Sequence, residues 1–188
     1  MKNSLLFIIF LLFSGCMFKQ ETIDINHYAI SFKTQQIASN NKFQTIYIED
    51  TKVNKSFDLN SIFYTTKPYL FEAYAKNRWI SLPSTMIHNQ IIDSFNSSNL
   101  FANTISKDKK LAFDYLLKSE VLQMYQVFED DKSYAVLKIK FDLIKNYQIV
   151  KSFDFDKKIA CDENSAYGFV KAINIGFEEI LNSLLRDL

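Results

Sequence analysis

The sequence predicts an α/β protein of the α+β kind, a compact sandwich of mostly antiparallel strands with two main helices. Short segments in which apolar and polar residues alternate predict the strands. Two longer segments repeat apolar residues every three or four positions, which predicts one helix after the fourth strand and one at the C-terminus. With 48% hydrophobic and 23% charged residues, the chain has a globular composition.

The first β region contains four predicted short strands. Apolar residues alternate with polar ones around residues 28–32, 45–48, 62–64 and 70–75. The break between the last two strands contains Lys67 and Pro68, and proline suits a connection because it has no backbone N–H to donate to a ladder. We therefore expect a β-hairpin around this proline.

A helix is predicted next, from about Ser81 to about Asn96. Ser81 is a candidate cap, and Pro83 falls in the first turn, where helices tolerate proline. One face of the helix then carries apolar side chains, namely Met86, Ile87, Ile91 and Phe95.

The second β region is predicted as an antiparallel meander over residues 111–128, 133–144 and 147–155. Polar residues 129–132 and the pair Lys145-Asn146 separate these strands. The middle strand alternates most clearly, so one face is expected to be buried and the other to meet water. The buried positions are Ala135, Leu137, Ile139, Phe141 and Leu143, and the opposite ones are Val136, Lys138, Lys140 and Asp142.

The last predicted element is an amphipathic helix over residues 163–188. Gly168 and Gly176 are the only glycines after residue 15, and Ala172 lies midway between them on the same side. Each glycine costs a helix roughly 1 kcal/mol relative to alanine. A stripe of small residues allows a close approach of another backbone, either the sheet beneath the helix or a neighbouring subunit of a homo-oligomer.

The N-terminus resembles a bacterial lipoprotein signal peptide. Lys2 precedes nine apolar residues, 5–13, which are too few to span a bilayer core of roughly 30 Å. Ser14, Gly15 and Cys16 follow, and the string FSGC resembles a lipobox. The resemblance implies cleavage before Cys16 and attachment of a diacylglyceryl and an N-acyl lipid to that cysteine, a durable anchor. The alternative is an ordinary secretory signal in which Cys16 is incidental.

The chain is therefore predicted to consist of a signal peptide of residues 1–15, a lipid-anchored tether of residues 16–26 and a single globular domain of residues 27–188. Residues 17–26 show no sustained period, which is typical of a tether. Met17 follows the cysteine where an aspartate would favour retention at the inner membrane. We therefore expect a protein on the periplasmic face of the envelope, at the outer membrane rather than the inner.

Composition argues against several classes of function. A formal net charge of +1 gives no broad basic field for nucleic acid. With Gly168 and Gly176 alone in the mature chain, neither a nucleophile elbow nor a glycine-rich phosphate loop can form. We expect no cofactor beyond the lipid on Cys16, and no enzymatic activity.

Titratable residues offer little material for catalysis or metal binding. His27 and His88 are the only histidines, and neither has a partner at metal-ligand spacing. Cys161 has acidic neighbours in Asp162 and Glu163, which disfavour a thiolate. Asp154, Asp156 and the acidic turn at residues 129–131 are interpreted as solvated charge, so we expect no metal site.

One block resembles the ABC-type transport auxiliary lipoprotein family. Residues 62–101 read IFYTTKPYLFEAYAKNRWISLPSTMIHNQIIDSFNSSNLF. The shared features are a strand, a proline-bearing turn, a second strand with Tyr74 and Trp79, and a helix led by Pro83. Further matches are Tyr28, the pair Asp114-Tyr115 and the C-terminal helix, so the resemblance covers most of the mature chain.

The resemblance implies a compact α/β sandwich and a partner role. Members of the family are exported lipoproteins that work with an ABC permease and ATPase and with MCE-type periplasmic proteins, in systems that move phospholipid or other apolar molecules. Tyr74, Trp79 and Pro83 either fill the seam between strand and helix or contact the MCE partner or a lipid chain.

Three hypotheses for function follow. The first is a non-enzymatic accessory that docks an MCE assembly at the outer membrane. A ring of identical subunits, built on the stripe of Gly168, Ala172 and Gly176, is one form that such an accessory can take. The second is an assembly or plug lipoprotein of another outer-membrane machine, such as lipopolysaccharide export. The third is an envelope enzyme with an unrecognised site, which requires titratable residues clustered in one cleft.

Overall fold

The computed structural model describes residues 24–37, 42–107 and 110–188. The predicted signal peptide, Cys16 and the tether up to residue 23 lie outside these ranges. Within them, no helix is both long and apolar enough to cross a membrane.

The described residues form nine strands and two helices, in the predicted α+β arrangement. The first half contains β1 (Asn26–Tyr28), β2 (Phe43–Ile48), β3 (Lys52–Val53), β4 (Ser61–Lys67), β5 (Leu70–Trp79) and α1 (Pro83–Ser98). The second half contains β6 (Phe101–Ile105), β7 (Tyr115–Glu129), β8 (Lys132–Lys145), β9 (Gln148–Ala160) and α2 (Ala166–Asp187).

The long strand β7 organises the sheet. One edge of β7 pairs antiparallel with β8. β8 in turn pairs antiparallel with β9 along almost the whole length of both strands. Three short parallel strands pair with β7 in succession: β2 near Tyr115, β3 near Glu120 and β4 near Gln126. β6 pairs with β2, and β5 and then β1 extend the sheet beyond β4. Most paired residues are antiparallel, which confirms the predicted fold class.

Both helices contribute to one hydrophobic core with the sheet. Pro83 occupies the first turn of α1, and the Ser165 side chain caps α2 by accepting a hydrogen bond from Gly168 N at 3.0 Å. The largest fully buried side chains come from both layers and include Trp79, Phe95, Phe141, Phe169 and Phe177. All five predicted positions on β8, from Ala135 to Leu143, are buried.

The prediction of a strand over residues 28–32 is wrong in part. The strand ends at Tyr28, and the following segment runs beside the two helices. Side-chain amides of the helices satisfy its backbone: Gln90 accepts from Phe32 N at 2.9 Å, and Asn182 accepts from Gln35 N at 2.9 Å. The apolar alternation here therefore reflects burial between helices rather than strand pairing.

Three other differences concern the strands β3, β6 and β7. β3 and β6 were not predicted, and residues 111–114 precede β7 instead of opening it. β3 has only two residues, and its pairing with β7 supplies what its local sequence does not.

The fold has two ends, defined by its turns. The β4–β5 turn at Pro68-Tyr69 and the β7–β8 turn at residues 130–131 share one end, which we call the hairpin end. The β8–β9 turn at Asn146-Tyr147 lies at the other, the far end. Since β7 has 15 residues, the two ends are about 45 Å apart.

Candidate functional site

Trp79 and Pro83 lie inside the protein. The indole of Trp79 is 1% exposed, and its ring centroid is 6.1 Å from that of Phe169 on α2. Asn60 brackets the Trp79 backbone, because its carbonyl accepts from Trp79 N at 2.7 Å and its amide donates to Trp79 O at 3.2 Å. The structure therefore places the indole under the C-terminal helix, and Pro83 is buried at the start of α1.

Tyr74 belongs to a polar network beneath the hairpin end. Its hydroxyl donates to Gln126 Oε1 at 2.6 Å, and Gln126 Nε2 donates to Ser133 Oγ at 2.8 Å. Gln126 is fully buried. Burial, together with the nearby Tyr64, raises the pKa of Tyr74 above the usual range. The network holds three strands together and keeps the phenol neutral.

Tyr74→Phe is expected to destabilise the protein by about 1–3 kcal/mol, because it leaves the buried Gln126 oxygen without its donor. Urea unfolding measures the change. Since the folded pKa is raised, the stability that Tyr74 contributes is present at neutral pH and is lost above about pH 10, where the unfolded chain ionises. The difference in the free energy of unfolding between the wild type and Tyr74→Phe should therefore become smaller above that pH.

Tyr64→Phe is the matched control for that experiment. The Tyr64 ring lies 4.7 Å from the Tyr74 ring, and the side chain is likewise partly buried. Loss of the Tyr64 hydroxyl should change the free energy of unfolding by no more than about 0.5 kcal/mol. Equal effects of the two substitutions would count against a specific role of the Tyr74–Gln126 bond.

Cys161 lies at the edge of the same network. Its sulfur is 3.8 Å from Gln126 Nε2, and its backbone N–H donates to Ser133 O at 2.9 Å. Burial is the largest influence on the thiol and raises its pKa, and Asp162 acts in the same direction. A raised pKa disfavours the thiolate that nucleophilic chemistry requires.

The three small residues of α2 face their own chain. Gly168, Ala172 and Gly176 are all buried. A Cβ on Gly176 would approach Ile159 Cδ1 to 2.8 Å, and a Cβ on Gly168 would approach the Glu163 carbonyl oxygen to 2.2 Å. Gly176 thus packs against the sheet, and Gly168 packs against the loop that precedes the helix. Both close approaches lie within one chain, which favours packing inside the domain over a neighbouring subunit as the explanation of the stripe.

Gly168→Ala and Gly176→Ala are expected to differ sharply. The Glu163 carbonyl is fixed because it also accepts from Ser165 N at 2.9 Å, so Gly168→Ala should cost about 1–3 kcal/mol. The Ile159 methyl can move, and alanine favours the helix by about 1 kcal/mol, so Gly176→Ala should be nearly neutral. Thermal unfolding of both variants measures the difference, and equal melting temperatures would contradict it.

The helix-free face of the sheet is charged across β8 and β9. Lys138 and Asp156 are 3.1 Å apart, and Lys140 and Asp142 are 3.4 Å apart, so these carboxylates are partnered by cations. Over the described ranges, no group of three or more His, Cys, Asp or Glu side chains could hold a metal ion. His88 Nε2 lies 3.7 Å from Asp50 Oδ1 at the side of α1.

Aromatic rings replace the charges on this face towards β4 and β5. Phe57 stacks on Tyr125 with centroids 5.7 Å apart, and Phe71 meets Tyr125 edge-on at 5.0 Å. Phe57 also contacts Phe63 and Phe71 edge-on. We call these four rings, Phe57, Phe63, Phe71 and Tyr125, the aromatic cluster. It packs against the β4–β5 hairpin on the helix-free face of the sheet.

Exposed apolar side chains concentrate at both ends of the fold. At the hairpin end, Tyr69, Leu70 and Phe71 are 100%, 37% and 47% exposed, and with Pro68 they form what we call the hairpin tip. A second group of five lies at the far end, where Leu111, Phe113 and Tyr147 line a shallow pocket of about 390 Å³. We call this group the far-end surface; it consists of Leu111, Phe113, Tyr147, Ile149 and Val150.

Sequence reasoning did not single out either end. Tyr69 and Tyr147 both occupy turn positions with positive φ, 70° and 63°. This conformation costs a residue other than glycine of order 1 kcal/mol, and turns favour glycine, asparagine or aspartate there. A large aromatic residue within a predicted turn, as for Tyr69, or directly after one, as for Tyr147, was therefore the available signal.

The fold and its surfaces define a two-layer α+β protein with apolar ends. A crystal structure of protein XCC0632 from Xanthomonas campestris, described as DUF330, is similar with a TM-score of 0.76 and 13% identity, over 85% of this chain and 92% of that one. A protein described as uncharacterized has a TM-score of 0.70 and 14% identity, over 87% and 98%. At such identities the likeness establishes the fold alone. No family model and no curated protein matches the sequence.

Proposed function

We propose that this protein is a non-enzymatic lipoprotein accessory of an ABC/MCE-type transport system at the outer membrane. In this role the lipid on Cys16 holds the domain at the membrane, and the domain recognises an MCE-type periplasmic protein. The permease and ATPase are indirect partners. The transported molecule is a phospholipid or another apolar compound.

The far-end surface is the observation that carries the proposal. Its five side chains are 39% to 104% exposed, in a protein whose other large apolar side chains mostly fill the core. Three of them line a pocket, and exposed apolar groups that lie together are typical of protein contact sites. Tyr147 is the most exposed of them, and aromatic residues are enriched among the residues that dominate binding energy.

The sequence resemblance supplies the class of partner. The block over residues 62–101 folds as β4, the proline turn, β5, α1 and the start of β6. These are the elements that the resemblance to transport auxiliary lipoproteins implies, in the same order. Trp79 and Pro83 lie in the core of this unit, so the partner contact is assigned to the far-end surface and not to them.

Co-purification in detergent tests the partner. The lipoprotein should capture an MCE-type protein, and Tyr147→Asp combined with Ile149→Asp should weaken capture roughly thirtyfold, or about 2 kcal/mol, because charge replaces the exposed apolar contacts. Tyr69→Asp is the matched control, since Tyr69 is as exposed, also has positive φ and lies at the opposite end.

The outcome separates the competing functions. Capture of an outer-membrane β-barrel in place of an MCE protein would favour the assembly or plug lipoprotein. Undiminished capture of the MCE protein by the Tyr147/Ile149 variant would contradict the role of the far-end surface.

A further inference from the structure

We propose that the hairpin tip inserts into the headgroup region of the lipid bilayer and forms a second membrane contact beside the lipid anchor. This inference rests on the lipid anchor of the proposed function and adds the orientation of the domain. The far-end surface then faces away from the membrane, about 45 Å from it, where a periplasmic partner can reach it.

The direction of the chain points to this end of the fold. β1 pairs parallel with β5, with Asn26 opposite Asn77 and Tyr28 opposite Trp79. Because β5 starts at Leu70 beside the hairpin turn, the N-terminal end of β1 at Asn26 faces the hairpin tip. To bring the far end to the membrane instead, the chain would have to reverse its direction.

The length of the tether is sufficient. Leu70 lies seven residues before Asn77 on β5, so the hairpin tip is about 23 Å from the level of Asn26. The ten residues from Met17 to Asn26 reach about 33 Å when extended. The acyl chains and the hairpin tip can therefore meet the same membrane at once, and the anchor keeps the tip at high effective concentration there.

The side chains of the tip suit an interface between water and hydrocarbon. Tyr69 is fully exposed and flanked by Pro68 and by the partly exposed Leu70 and Phe71. Tyrosine carries an apolar ring and a polar hydroxyl, and it is enriched at membrane interfaces for that reason. Phe71 also belongs to the aromatic cluster, where it packs on Phe57 and Tyr125, so the tip is presented on a rigid base.

Charge at this end makes a zwitterionic surface the appropriate target. Lys67 on β4 and the exposed Glu72 on β5 flank the tip with opposite charges, and further acidic residues lie at the ends of β7 and β9. Two of these acids are paired with lysines, Glu129 with Lys158 and Asp162 with Lys171. Insertion of the hairpin tip alone keeps the other acids of these strand ends out of the bilayer.

Fluorescence quenching tests the contact. The mature lipoprotein with Tyr69→Trp is reconstituted into vesicles of phosphatidylethanolamine and phosphatidylcholine, with or without bromine on the upper acyl chains. The emission of the new indole should fall by roughly half in brominated vesicles, because interfacial aromatic rings lie at that depth. Trp79 is 1% exposed and gives a constant background that also reports an intact fold.

Tyr147→Trp is the matched control, because Tyr147 is equally exposed, also has positive φ and lies at the far end. Its emission should be the same in both kinds of vesicle. Equal quenching of the two variants, or no quenching of Tyr69→Trp, would overturn the inference. A blue shift of the Tyr69→Trp emission without bromine quenching would also overturn it and would indicate a protein occupant.

Flotation of the vesicles separates this inference from the function on which it rests. Protein that does not float with the vesicles contradicts the lipid anchor, and the hairpin contact falls with it. Protein that floats without quenching of Tyr69→Trp contradicts the hairpin contact alone.

Discussion

Replacement of Cys16 by alanine is expected to move the protein completely from the membrane to the soluble periplasmic fraction. Each CH₂ group of an inserted acyl chain contributes about 0.8 kcal/mol, and two or three chains make anchoring durable. The loss should therefore be close to all-or-none.

The experiment needs a signal peptide whose cleavage does not depend on the cysteine. We expect the sharpest result when Cys16→Ala is exported behind a general secretory signal, with the same mature sequence carrying Cys16 behind its own signal as the comparison. Mass spectrometry of the mature N-terminus should find acyl groups only with Cys16. An unmodified Cys16 would refute the anchor outright.

Trp79→Ala is expected to produce the largest loss of stability, about 3–5 kcal/mol. The indole is almost fully buried against Phe169, and its removal leaves a cavity between β5 and α2 that the surrounding elements cannot fill. Typical domains are stable by only 5–15 kcal/mol, so the variant should unfold at a much lower urea concentration.

Ile80→Ala is the natural comparison, since Ile80 follows Trp79 in the chain and is 64% exposed. Its substitution should change the free energy of unfolding by less than about 1 kcal/mol. If Trp79→Ala were as stable as Ile80→Ala but failed to bind a partner, the indole would be a contact residue and not part of the core.

Elements with a strong local period could be predicted from the sequence. β8 alternates over its whole length and α2 repeats its apolar positions over six turns, so burial alone specifies them. β3 could not be predicted, because two residues carry no period and the strand exists only where Lys52 and Val53 meet the edge of β7.

The candidate site shows a similar division. The sequence pointed to Tyr74 and Trp79, but a large aromatic residue in a strand fits either a core or a contact surface. Only the three-dimensional arrangement distinguishes them: Tyr74 bonds to Gln126, which lies 52 residues away, and Trp79 packs on Phe169. The exposed tyrosines of the two turns were missed because turn positions are ordinarily assigned by their polar residues.

The parallel pairing of β1 with β5 also determines how the domain carries mechanical load. Force applied along the axis of β1 at its N-terminal end would shear its ladder bonds to β5 together instead of breaking them one by one. Behind it, the amides of Asn174, Gln90 and Asn182 hold the backbone of residues 31–35 to both helices. Tension at the N-terminal end of β1 would thereby be passed to the core of the domain.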